Sequence, residues 1–291
     1  SVTAVVSAIK DILNGASGYN ATKVDTVTVN STTITIDYAT PETPIGTITI
    51  GGRTGAAVVA AITTVQNGAN RLPPLLRWPM AGIDTSQTGS ASGSTLTNNN
   101  TVQSGDGDGV FAPAGIGGSC SKFSAANSES YTLADNDDIR MGDIAFTLYG
   151  WVRLGAGGPN DYQAIAGKFN YPGSREYAIV RNRVTNRFDF SVNASDTVVA
   201  NNFGAPSDGV WYFIACRHDP VANTISIRVN KTTTDSLSHS TGVLAGTADL
   251  QFGGFVTNGL YFFDGYLSKW RIEKAVLSDA ELDAIYDDEV A

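Results

Sequence analysis

Any chemistry in this chain has to come from few residues, because its 291 positions hold only two histidines and two cysteines. His218 lies in the run Arg217-His218-Asp219-Pro220 and His239 lies between serines; both read as ordinary surface histidines. There is no G-x-S-x-G nucleophile elbow, Walker loop or dinucleotide fingerprint. Cys120 and Cys216 lack histidine neighbours at zinc-ligand spacing, which leaves buried thiols or one disulfide. Asp106 with Asp108, and Asp135 with Asp137 and Asp138, are dense in oxygen ligands without a complete EF-hand spacing, and read as solvated turns. The better candidates are amides and phenols in polar segments: Asn160, Tyr162, Asn170, Tyr171, Tyr177 and Asn258. Amides can bond sugar hydroxyls while a tyrosine ring offers a stacking face; the alternative is edge aromatics that close the end of a sheet.

These residues sit in a chain built for strands. Charged residues make up 16%, and Thr, Asn, Gly and Ser fill the gap, a usage that suits pleated surfaces and turns. From Ser119 onward, strand signals recur about every ten residues, with Phe188, Phe190 and Val192, then Ile225, Ile227 and Val229, each on one face. No helix long enough for a parallel crossover intervenes, so an antiparallel sandwich or jelly roll is predicted over 81–291. Ser278 and Glu281 fit a capping box that opens a final helix with Leu282, Ile285 and Tyr286 on its apolar face, ahead of acidic Asp287-Asp288-Glu289. Residues 1–70 read as a small α+β domain: a helix over 2–13, strands around Val27, Ile34 and Ile48, and a second helix over 55–66. Residues 71–80, RLPPLLRWPM, are a Pro-containing connector too apolar to be a free linker.

Three segments carry a resemblance. FTLYGWVRL (146–154), GVWYFIACRHD (209–219) with TISIRVNK (224–231), and FDGYLSKWRIEKAVLSDAELDAIY (263–286) resemble, in that order, the laminin-G-like jelly rolls of the concanavalin A-like superfamily. Trp151, Trp211, Gly265, Leu277, Ser278 and Glu281 stand at the matching places, and both tryptophans are expected to fill the space between sheets. The resemblance implies binding of sugars or proteins through edge loops or a sheet face, sometimes with calcium. Glycosidases of the superfamily carry E-x-D-x-E on one strand; no such strand occurs here, so no enzyme is expected. Asp84 resembles the family's early calcium-site aspartate, but Ser268-Lys269 stand where the closing motif often carries an acid, so no cofactor beyond a possible structural calcium is expected.

Charge and organisation bound the partners. Residues 1–80 carry five basic and four acidic groups, which leaves 14 basic and 24 acidic in the remainder, a balance that repels phosphate backbones. No stretch has the length of a transmembrane helix and no signal peptide opens the chain. The leading expectation is a non-enzymatic virion structural protein, a capsid decoration or fibre-type component, docked to a capsid or tail lattice through 1–70, oligomeric or lattice-bound. The alternatives are a cell-surface carbohydrate-binding or adhesion module and, more weakly, a divergent glycoside hydrolase or lyase.

Overall fold

The structure is a computed structural model that describes residues 24–30, 33–38, 48–49, 63–64, 76–78, 80, 95–105, 119–156, 162–170, 173–193, 195–256, 259 and 261–290. The chain divides into two compact units, Ser1–Pro73 and Pro74–Ala291. In the first, β1 (Val24–Asn30), β2 (Thr33–Tyr38), β3 (Ile48–Thr49) and β4 (Thr63–Thr64) form one antiparallel sheet in sequence order. Thr63 and Thr64 were expected inside a helix and are instead paired to β3; two adjacent β-branched residues favour extended backbone. The helix expected over 2–13 lies outside the described residues.

The second unit is a sandwich of two antiparallel sheets. The eight-stranded sheet contains β5 (Leu76–Trp78), β7 (Gln103–Ser104), β8 (Ser121–Phe123), β10 (Phe146–Leu154), β15 (Trp211–Asp219), β16 (Thr224–Val229), β17 (Asp235–Ser238) and β19 (Gly265–Glu273). Its order is β17-β16-β15-β10-β19-β8-β7, with β5 also paired to β19. The connector expected over 71–80 therefore already supplies a strand. The seven-stranded sheet runs β14 (Asp196–Val199), β13 (Arg187–Val192), β12 (Ser174–Asn182), β11 (Tyr162–Asn170), β18 (Leu250–Phe252), β9 (Ser130–Leu133) and β6 (Thr97–Asn99). Asn186, Asn193, Asn223 and Asn230 all adopt φ between 49° and 52° at strand ends, which explains part of the asparagine content, because asparagine tolerates the left-handed region that reverses the chain.

Alternation decides what each face touches. Leu148, Val152, Ile179, Phe188, Phe190, Ile214 and Ile227 point inward into the central core. Trp78, Phe252 and Trp270 meet there, with ring centroids 5.4 and 5.9 Å apart. Trp151 was expected between the sheets but points outward, one residue out of phase with Val152. It is buried with Tyr149, Phe213 and half-buried Trp211 beneath α1 (Asp279–Val290). The capping box forms as expected: Ser278 N donates to Glu281 Oε2 at 2.8 Å and Glu281 N to Ser278 Oγ at 3.3 Å. Leu282, Ile285 and Tyr286 face the sheet, Tyr286 stacking on Trp151 at 5.4 Å. The helix continues through the acidic run placed beyond it, because the sheet neutralises that run. Lys231 pairs with Asp287 at 2.8 Å, Arg271 pairs with buried Glu289, and the Trp151 indole donates to Glu289 at 2.6 Å.

Candidate functional site

The helix leaves the two outer faces unequal, and the outer face of the seven-stranded sheet carries an apolar cluster of its own. Ala164, Ala178, Val180 and Phe255 are buried there, with Phe169 and Tyr261 partly exposed against them. The rings form a ridge beside β11. Tyr162 meets Tyr261 edge-on at 5.5 Å, Tyr261 meets Phe255 at 6.3 Å, and Phe255 stacks on Phe169 at 4.6 Å. Tyr162 and Phe169 share this face despite an odd spacing because the β11–β12 register shifts between Ala164 and Ala166, which leaves Ile165 as one extra residue in β11. Tyr261 holds φ at +60°, unusual for a bulky residue, while its carbonyl accepts from Ala164 N at 2.7 Å.

Beside the ridge the floor is small and polar. Ala178 stands opposite Ser191, and Ser191 opposite Thr197. Val180 stands opposite Asp189, whose Oδ2 accepts from Asn182 Nδ2 at 3.0 Å. Asp189 Oδ1 has no hydrogen-bond partner among the described residues. Burial pushes the Asp189 carboxyl above its usual value, and the Asn182 bond offsets part of that rise. An amide–carboxyl pair next to a run of ring faces can bond hydroxyls while aromatic surface takes the apolar face of a sugar ring.

Tyr162 and Asn170 stand at the two ends of β11, Tyr162 37% exposed on the ridge and Asn170 half-buried. Tyr177 does not belong to the site. It is 1% exposed, packs against Phe146 at 5.5 Å and donates its hydroxyl to the Ile139 carbonyl, because it shares the inward face with Ile179. Asn160, Tyr171, Asn258 and Asp84 lie outside the described residues. Phe169, Phe255, Asn182 and Asp189 were missed, although Phe188 and Phe190 pointing inward already implied an outward Asp189.

Other polar clusters are structural. Lys168, fully buried, bonds Asp135 at 2.7 Å and Glu176 at 3.2 Å, as well as the Ala248 carbonyl. Burial raises Glu176, with Lys168 opposing; burial also pushes Asp135 up, but bonds from Arg140 and Lys168 outweigh it and leave that carboxyl below its usual range. Both histidines, expected at the surface, are buried with rings 5.6 Å apart. His218 Nδ1 lies 2.8 Å from the Ile144 carbonyl, and His239 spans Asp196 and the Gly242 carbonyl at 2.6 and 2.9 Å. Cys120 and Cys216 are buried thiols that are not joined in a disulfide. Among the described residues no three His, Cys, Asp or Glu side chains are placed to hold a metal ion. At the closing strand the Ser268 hydroxyl donates to the Ser119 carbonyl and Lys269 reaches toward Glu289 at 3.8 Å, a donor set that does not fit calcium.

Solved structures share the sandwich at low identity, which shows a common fold. Trypanosoma rangeli sialidase in complex with the inhibitor DANA is 11% identical with a TM-score of 0.54, covering 72% of this chain and 32% of that one. The binding domain of botulinum neurotoxin serotype G is 15% identical with a TM-score of 0.54, covering 74% and 50%. Domain 4 of a GH43 extracellular arabinanase from Geobacillus stearothermophilus, in complex with arabinotriose, is 14% identical with a TM-score of 0.53, covering 74% and 98%. The chain thus spans about a third of the sialidase and half of the toxin domain. Comparison with curated proteins gives no match. The laminin-G type of the concanavalin A-like lectin/glucanases superfamily matches residues 126–283, more than half of the chain, and the protein belongs to that superfamily.

Proposed function

We propose that the sandwich is a non-catalytic carbohydrate-binding module whose ligand lies along the outer face of the seven-stranded sheet. One observation carries this reading: the ridge of Tyr162, Tyr261, Phe255 and Phe169 runs beside the polar floor of Asn182, Asp189 and Ser191. The arabinotriose-bound arabinanase domain, which this chain matches over nearly the whole of that domain, supports the ligand class. So does a neurotoxin binding domain in complex with SialylT, 13% identical to this chain. The test is a glycan array followed by titration of any neutral oligosaccharide bound. Tyr162→Ala is expected to weaken binding at least tenfold, on the scale of a lost stacking contact. An array silent for all glycans, or binding untouched by Tyr162→Ala, overturns the reading.

The two-unit organisation favours a role for the first unit. Residues 1–73 serve as an anchor that docks to a capsid or tail lattice and displays the sandwich on a virion; a cell-surface anchor is the alternative. Deleting 1–73 is then expected to abolish incorporation into particles, and undiminished incorporation rules the anchor out.

A further inference from the structure

Lys168 of β11 and Glu176 of β12 meet inside the seven-stranded sheet, and neither side chain reaches solvent. The β11–β12 register shifts between Lys168 and Phe169, which leaves Glu176 as an extra residue of β12 beside Lys168. Lys168 Nζ lies 3.2 Å from Glu176 Oε1 and 2.7 Å from Asp135 Oδ1, and it also donates to the Ala248 carbonyl. Two of its tetrahedral positions are therefore directed at Asp135 and Ala248, which leaves a third for the Glu176 carboxyl. An amine and a carboxyl held in contact, away from water, are the two halves of an amide.

The two carboxyls are not equivalent. Arg140 grips Asp135, with Nε donating to Oδ2 at 2.9 Å and Nη2 paired to the same oxygen. Burial pushes the Asp135 carboxyl up, but the bonds from Arg140 and Lys168 outweigh it and hold the group in its ionised form. Burial raises Glu176 against the pull of Lys168, which favours the neutral acid. A carboxylate repels an amine lone pair, whereas the carbon of a neutral carboxyl accepts one. Glu176 is therefore the electrophile of the cluster and Asp135 its base.

The surroundings of Glu176 suit attack on it. Thr247 N and Ala248 N donate to Ser174 Oγ at 3.1 and 3.3 Å, so that hydroxyl directs its own hydrogen to Glu176 Oε1, 3.5 Å away. The Gly246 N–H donates to the same carboxyl. These donors stand where negative charge develops on Oε1 as nitrogen attacks Cδ. A Cβ at Gly246 would lie 1.8 Å from Ser174 Oγ and 3.0 Å from Oε1, so glycine is what lets the backbone come this close. Glu176 Oε2 is buried and has no hydrogen-bond partner among the described residues, which marks it as the oxygen that leaves.

We propose that Lys168 and Glu176 condense to an amide that ties β11 to β12 inside the sandwich. Asp135 takes one proton from Nζ, the freed lone pair forms the N–Cδ bond, and charge collects on Oε1. As that charge returns to form the amide carbonyl, the Cδ–Oε2 bond breaks. Oε2 departs as water with its own proton and the one delivered by Asp135. The nitrogen sheds a second proton to Asp135, whose side chain, 11% exposed, passes it to solvent. Nothing is oxidised or reduced. The test is the intact mass of the denatured full chain, expected to fall one water short of its sequence. Trypsin, which does not cut at an acylated lysine, is expected to release Leu154–Arg175 joined to Glu176–Arg181. Lys168→Met and Glu176→Ala are each expected to restore the full mass. Asp135→Asn keeps the shape but removes the base, and is expected to slow the loss of water at least tenfold, followed as mass against time after synthesis. A parent mass equal to the sequence, water lost without that linked pair, Lys168 joined to the Asp135 peptide instead, or a rate indifferent to Asp135→Asn overturns the proposal. The mass and the peptide map use the unaltered chain, so they decide even where a variant misfolds.

Discussion

Two tyrosines on neighbouring strands separate binding from stability. Tyr162 is exposed on the ridge, and its replacement by alanine is expected to weaken sugar binding with little effect on unfolding. Tyr177 is buried, with its hydroxyl on the Ile139 carbonyl. Tyr177→Ala is expected to destabilise the fold by about 3–5 kcal/mol, and Tyr177→Phe by roughly 1 kcal/mol, both read by urea unfolding. The residue types alone could not tell these two apart. Both are tyrosines in polar surroundings, and only the phase of each strand, Tyr177 inward with Ile179 and Tyr162 outward with Ala164, tells them apart. Asp189 gives a pH test. Its folded carboxyl is raised by burial, so the folded state holds that proton more tightly than the unfolded chain. Its contribution is a penalty that is absent below the ordinary value of 3.8, grows as pH rises toward the folded value, and is complete above it. Asp189→Asn is therefore expected to stabilise the protein at neutral pH and to change little at pH 3, as followed by thermal unfolding across pH.

The final helix is the element whose existence the sequence announces most plainly and whose location it conceals. Ser278, Glu281 and the apolar face of Leu282, Ile285 and Tyr286 define it locally. That its target is the outer face around Trp151 is a tertiary fact: strand alternation says that Trp151 opposes Val152 but not what covers each side. The helix also buries Glu289 against Arg271 and the Trp151 indole. Glu289→Ala leaves the Arg271 charge buried without its partner and is expected to cost about 3–5 kcal/mol. Replacing Glu289 and Arg271 together with methionine and leucine is expected to restore most of that loss. Chemical denaturation of the single and double variants checks both outcomes.

For the whole molecule, the sandwich was legible because alternation and turn residues recur over some 170 positions and the closing motifs stand in family order. The first unit was less so: its strands follow the two-residue period, whereas Thr63 and Thr64 pair with β3 inside a stretch whose small apolar residues suit a helix equally well. The second unit has its own core, so residues 74–291 are expected to unfold cooperatively when produced alone, as measured by circular dichroism.

Within that unit the first strand, Leu76–Trp78, is paired to the last, Gly265–Glu273, with Leu76 opposite Ile272. A tether that enters ahead of Leu76 and another that leaves after Glu273 therefore pull from the same end of one antiparallel pair. Load applied this way opens the ladder bond by bond instead of shearing all its bonds together. Once α1 is peeled away, a module fixed at one end and drawn by its other end gives way first at this seam, under modest tension and before its seven-stranded sheet is disturbed.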